Sequence, residues 1–171
     1  TGATQNSDGL DVEPLISHKK GGAPVAEFAG GQKAERDAVI DIECEIWVPA
    51  ARPDVITADN VDRLKTKIVA QGANIALTEE AEASLHARNV LSLPDFIANA
   101  GGVICAAMEY QGVSESAAFE AIADRISRNT TEMLERSRAE NILPRVAAHD
   151  MAITRVKAAM ATRRWSISRG S

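Results

Sequence analysis

Three short segments of this 171-residue sequence are built from residues that let a flat ligand lie against the backbone. They are Val48-Pro49-Ala50-Ala51, Gln71-Gly72-Ala73-Asn74 and Pro94-Asp95-Phe96-Ile97-Ala98-Asn99-Ala100-Gly101-Gly102. Glycine and alanine keep the backbone accessible to a ring or a ribose. Asn74 and Asn99 each add a carbonyl acceptor and an amide donor, the pairing that a ribose hydroxyl or a carboxamide needs. Turn chemistry accounts for the same residues, because strand ends need turns and Gly, Ala and Asn make them. Both readings stand at this point. The third segment is the more specific. Gly101-Gly102 stands where a helix begins, and each glycine costs about 1 kcal/mol there relative to alanine. A group approaching that backbone closely is a physical reason for them, and the helix start offers free N–H groups suited to a carboxylate.

The elements needed to place these segments follow from periodicity and punctuation. Asn6-Ser7-Asp8-Gly9 is a turn signal, and Asp11 is placed to cap a short helix to about Lys19, ended by Gly21-Gly22. Strands are predicted at Cys44–Val48, Lys67–Ala70 and Val90–Leu93, stopped by Pro49, Gly72 and Pro94. Between them, helices are predicted from about Thr57 to Lys65, with Val61 and Leu64 on one face, and from Thr78, as N-cap, to about Arg88. Strands alternating with amphipathic helices argue for a parallel sheet covered on both faces. After Gly101-Gly102 the chain reads as helix only, to about Gln111, from Ser114 to about Ala139, and from Pro144 onward. Phe119, Ile122, Ile126, Met133 and Leu134 are near helical spacing, and Val146, Ile153, Val156 and Met160 are the expected buried stripe of the last helix. The strand ends then carry all three small-residue segments, where doubly wound sheets bind ligands.

Bulk composition bounds the function. A net charge of −5 and 4% aromatic content give no footprint for nucleic acid or an anionic membrane. No apolar run approaches the roughly 20 residues that span a bilayer, and the start shows no secretory pattern. Cys44 and Cys105 lie far apart, which suits a cytoplasmic, reducing setting with two buried, inert thiols. His18, His86 and His149 have no metal-ligand spacing, so no metal is expected. Asp95 is the most tempting carboxylate, and orienting a backbone turn is its favoured role over approaching the cleft. The opening Thr1-Gly2-Ala3-Thr4 leads to the expectation that the natural N-terminus lies upstream.

The strand-end segments also carry a resemblance. Asp95-Phe96-Ile97-Ala98-Asn99-Ala100-Gly101-Gly102-Val103 resembles the PDxxANAGG signature of glutamate, leucine, phenylalanine and valine dehydrogenases. Val69 to Asn74 resembles their VxEGAN segment, Glu43 to Ala51 their CDILIPAA strand, Asn6 to Asp11 their NPDGLD turn, and Ala152 to Val156 their C-terminal helix. The motifs follow family order and spacing over nearly the whole chain. The resemblance implies an α/β, partial Rossmann-like doubly wound sheet, its first βαβ unit upstream, followed by C-terminal helices. Residues 1–140 would be a partial dinucleotide-binding domain, and 141–171 its C-terminal helix.

By matching position, Ala50, Ala51, Ala73 and Asn74 would line NAD or NADP, and Asn99 would contact the nicotinamide end near the amino acid. Val103 and Ala106 would line the substrate side-chain pocket. The implied reaction is reversible oxidative deamination of an amino acid, by an enzyme that is a homo-oligomer when complete. The glycine-rich phosphate loop and the catalytic lysine and aspartate are expected upstream. No catalytic residue is therefore assigned to this chain, which alone is expected to be inactive and to bind cofactor weakly. Ala106 stands where glutamate dehydrogenases usually carry serine, and Gln71 where an acidic residue is common. Glutamate is the first expected substrate. Apolar amino acids come second, and a non-catalytic nucleotide-binding module is the reading from another class.

Overall fold

A computed structural model of the chain describes residues 2–162. They fall into two compact units, one of residues 2–44 with 62–65, the other of residues 45–61 with 66–162.

In the first unit, strand β1 (Ala3–Gln5) pairs antiparallel with β2 (Gln32–Ala34), a ladder that the polar composition of both segments conceals. The predicted turn follows β1. Asp8 and Gly9 donate to the side-chain and backbone oxygens of Asn6, and Gly9 takes the left-handed φ of 91° that glycine tolerates. Helix α1 (Val12–Lys20) begins after Asp11, as expected, although the Asp11 side chain makes no capping bond.

The second unit contains the site. Its sheet has the order β3-β4-β5, formed by β3 (Cys44–Trp47), β4 (Thr66–Ala70) and β5 (Leu91–Leu93), with β4 and β5 parallel and Ala70 opposite Leu93. The three predicted strands, their stops and the α/β class are therefore present. Helix α2 (Glu79–Ala87) joins β4 to β5, and its N-cap Thr78 accepts from the Ala81 N–H, as the sequence indicates. The short helix α3 (Asp95–Ala98) follows β5 directly. Then come α4 (Gly101–Tyr110), α5 (Glu115–Glu140) and α6 (Pro144–Ala161), with Ser114 capping α5 and Pro144 opening α6.

Four expectations are corrected. The helix predicted from Thr57 is a run of turns ending in a 3-10 helix, Val61–Arg63. Val61 and Leu64 are both buried, and their three-residue spacing suits a 3-10 turn as well as an α-helix. On α6, Val146, Ile153, Val156 and Met160 are exposed, and Ala147, Ala148 and Met151 are buried instead. Alanine lets α6 approach α5 closely, where Met133, wholly buried, joins Ile97 and these residues in one cluster. On α5, Phe119 is 63% exposed and falls outside that cluster. Cys44 and Cys105 are half-buried, not core residues. No described helix is long and apolar enough to cross a membrane.

Because Met133 fills the α5–α6 cluster, Met133→Ala is expected to cost about 2–5 kcal/mol of stability. Phe119→Ala is expected to change it by about 0.5 kcal/mol or less. Denaturant unfolding of both variants against the unsubstituted chain measures the difference.

Candidate functional site

The parallel pairing of β4 and β5 brings two of the three small-residue segments side by side, and the third closes over them. Gly72 comes just after β4 and leaves little room for a side chain, since a Cβ there would lie a tight 3.1 Å from the Ala50 Cβ. The Ala73 N–H donates to the Pro49 carbonyl at 2.8 Å. Ala50, Ala73 and Asn74 are thus gathered at the strand ends, with Ala51 on the same exposed turn as Ala50. Asn99, the C-cap of α3, reaches back across the gap. Its Nδ2 donates to the Asn74 Oδ1 at 2.7 Å and points to the Gly72 carbonyl at 3.4 Å. A carbonyl only accepts, so the Gly72 oxygen fixes which way both amides face. The Asn74 amide nitrogen and the Asn99 amide oxygen are then left for a ligand: one donor beside one acceptor.

Val103 and Ala106 are exposed on α4, one and two turns beyond Asn99, apart from this hydrogen-bonded group. At Gly102 a Cβ would meet nothing within 4 Å, and at Gly101 it would make only an ordinary 3.6 Å contact with Ile122. Packing within the chain does not require either glycine.

Behind the amide pair lies a charged cluster that the sequence did not reveal. Arg145, on the first turn of α6, forks onto Glu82 of α2, with Nε 2.6 Å from Oε2 and Nη2 2.8 Å from Oε1. The same Nη2 is 3.0 Å from the Asp95 Oδ1, an ion pair, and the guanidinium carbon stands 5.5 Å from the centre of the Phe96 ring. Gln71, wholly buried, donates to Glu82 and to the Ser92 hydroxyl and accepts from Arg145. The other Asp95 oxygen accepts from the backbone N–H of Ile75 at 2.9 Å. Asp95 therefore does hold a backbone turn, as its favoured reading has it, but the turn belongs to the loop after β4. Burial alone would raise the Asp95 carboxyl, yet the Ile75 N–H and the nearby guanidinium outweigh it and hold the group below the usual carboxylate range. The Glu82 hydrogen bonds, against the opposing effect of burial, raise Arg145 above its usual range.

Glu82 and Arg145 could not be paired from the sequence, since 63 residues separate them and each looks like a helix-surface charge. Among the described residues, no group of three or more His, Cys, Asp or Glu is placed to hold a metal ion.

The fold and the site define an α/β domain with paired amides at the carboxyl ends of adjacent parallel strands. The family model of the glutamate/leucine/phenylalanine/valine dehydrogenases matches residues 1–164, and the chain belongs to that family. It is 33% identical over 174 aligned positions to a glutamate dehydrogenase of Aeropyrum pernix, covering 96% of this chain and 42% of that protein. A solved hetero-hexameric glutamate dehydrogenase from Thermus thermophilus, in its Leu-bound form, superposes with a TM-score of 0.77 at 24% identity. That match covers 97% of this chain and 39% of the other. L-tryptophan dehydrogenase from Nostoc punctiforme superposes with a TM-score of 0.70 at 24% identity, over 81% of this chain and 41% of that one. The chain thus spans about two fifths of the length of these relatives.

Asp95 has a lowered folded-state carboxyl, so the stability it contributes is present above the unfolded value of about 4 and is lost as pH falls through the folded value. Asp95→Asn is expected to lower stability at pH 7 by about 1.5–3 kcal/mol, the range for hydrogen bonds to a charged group. The gap between the two proteins should narrow as pH drops below about 4, which unfolding curves at a series of pH values will measure.

Proposed function

We propose that this chain is the cofactor-binding part of an NAD- or NADP-dependent amino-acid dehydrogenase that carries out reversible oxidative deamination. The observation that carries this reading is the Asn74–Asn99 amide pair, bonded at 2.7 Å across the ends of β4 and β5. A donor and an acceptor held side by side complement a carboxamide or a ribose hydroxyl. Small residues surround the pair, and the unfilled space at Gly102 keeps the start of α4 open to a neighbouring group. In this assignment residues 1–140 form the dinucleotide-binding part and 141–171 its C-terminal helix, with residues 1 and 163–171 lying outside the described residues. Ala50, Ala51 and Ala73 border the dinucleotide, Asn74 and Asn99 orient its nicotinamide end, and Val103 and Ala106 face the amino-acid side chain. The nicotinamide, when bound, supplies the hydride chemistry, and these residues orient it against the substrate. The complete enzyme acts as a homo-oligomer.

Glutamate is the first proposed substrate, in keeping with the Aeropyrum pernix relative. The exposed Ala106 supports a second reading, since alanine offers no donor for a side-chain carboxylate once water is excluded. On that reading the substrate is an apolar amino acid.

Titrating the isotope-labelled chain with NADH into the millimolar range tests the cofactor assignment. Amide signals of Ala50, Ala51, Ala73, Asn74 and Asn99 are expected to move together with one dissociation constant. If they stay still while other regions shift, the assignment fails. In the enzyme that carries this chain, Ala106→Ser is expected to raise the ratio of kcat/KM for glutamate over leucine about tenfold or more, the worth of one hydrogen bond to a charged group. An unchanged ratio means that Ala106 does not line the side-chain pocket.

A further inference from the structure

Ile75 is a backbone anomaly with an evident anchor. It follows Asn74 directly, and its φ of 51° lies in the left-handed region that β-branched residues almost never adopt. Such a conformation persists only where its surroundings over-determine it. Here both backbone groups are tied: the N–H donates to the Asp95 carboxylate at 2.9 Å, and the carbonyl accepts from the Asp54 N–H at 2.8 Å. Asp95 is in turn held by Arg145 at 3.0 Å. The left-handed turn at Ile75 sets where the preceding side chain, that of Asn74, projects, and Asn74 is the partner of Asn99.

We propose that Arg145 and Asp95 are positioning residues for the Asn74–Asn99 amide pair, holding the left-handed turn at Ile75 through a carboxylate that accepts from the turn with one oxygen and is ion-paired to a guanidinium through the other. A carboxylate is required there because one oxygen accepts from the Ile75 N–H while the other sets negative charge beside the guanidinium, where an amide would place an NH2 group instead. The guanidinium is required because its fork meets Glu82 and Asp95 together, which a lysine ammonium on a flexible stem does not reproduce. Among the described residues, Glu82 from α2, Gln71 just after β4, Ser92 of β5 and Arg145 from α6 are joined with Asp95 in this cluster, and Glu79 and His149 line the same cavity as Arg145. The link from this cluster to cofactor affinity rests on the function proposed above.

The test uses the isotope-labelled chain with Asp95→Asn, Arg145→Lys and, as a control on the same helix, Arg155→Met. Arg155 pairs with Glu132 at the half-exposed α5–α6 surface and plays no part in the cluster. In Asp95→Asn, hydrogen exchange at the Ile75 amide is expected to accelerate about tenfold or more, and the Asn99 side-chain amide signals to move toward those of a solvent-exposed asparagine. In Arg145→Lys, where a cation remains to keep Glu82 from burial unpaired, the Asp95 titration read at the Ile75 amide should shift upward and the Asn99 signals should move part of the way. Arg155→Met should leave all three readouts unchanged. Unchanged Ile75 and Asn99 signals in both cluster variants overturn the proposal, as does a disturbance of equal size in the control. NADH titration separates the two layers. Weaker binding in the cluster variants alongside disturbed amides supports the positioning role, and unaltered binding with disturbed amides overturns it for the cofactor. Absence of NADH shifts at Asn74 and Asn99 in the unsubstituted chain defeats the cofactor assignment alone, while the amide readouts still decide whether Arg145 and Asp95 set the pair.

Discussion

The Arg145 guanidinium ties helix α6, helix α2 and the strand-end loops together. Its fork takes both oxygens of Glu82, which is 4% exposed, and its remaining reach meets Asp95. A carboxylate as buried as Glu82 is tolerable only when it is paired and hydrogen-bonded, and removing the arginine would leave it uncompensated. The neutral Gln71 completes the cluster by donating to Glu82 and Ser92, so that strand β4, strand β5 and helix α2 share one polar knot within an otherwise apolar interior. Buried networks of this kind specify one arrangement when every member is satisfied.

From that knot the geometry propagates outward by short, rigid links. Asp95 opens α3 and anchors Ile75, Ile75 follows Asn74, and Asn99 ends α3. Only Phe96, Ile97 and Ala98 separate the charged anchor Asp95 from the amide of Asn99. The Asn74–Asn99 pair, proposed above to meet the cofactor, can therefore sit among small residues, because the layer behind it fixes its place.

The parts of the architecture written in local chemistry were legible in the sequence. Proline and glycine stops bounded all three strands of the main sheet, Thr78 and Ser114 marked helix starts by capping, and Pro144 opened α6. Asn74 and Asn99 stood out as polar residues in small-residue turns, and the structure joins them. What escaped was non-local or ambiguous. Glu82 looked like a first-turn acid complementing a helix dipole, and nothing in its neighbourhood names Arg145 as its partner. The large apolar residues of α6 suggested a buried stripe, but the alanine face wins because close helix approach rewards small side chains over large ones. The strands β1 and β2 are three residues each, with one alanine and two polar side chains apiece, too short a run to show a hydrophobic period.

Gln71 bears on how the interior handles charge. The cluster already holds two carboxylates for one guanidinium, and the amide at position 71 contributes hydrogen bonds without adding a third negative charge. An acidic side chain in the same place would face Glu82 at hydrogen-bond distance with no spare cation to neutralise it. Two carboxyl groups so placed cannot both ionise, and one of them would be carried as the neutral acid. Glutamine thus joins strand, helix and arginine by hydrogen bonds while the cluster's negative charge stays at two carboxylates.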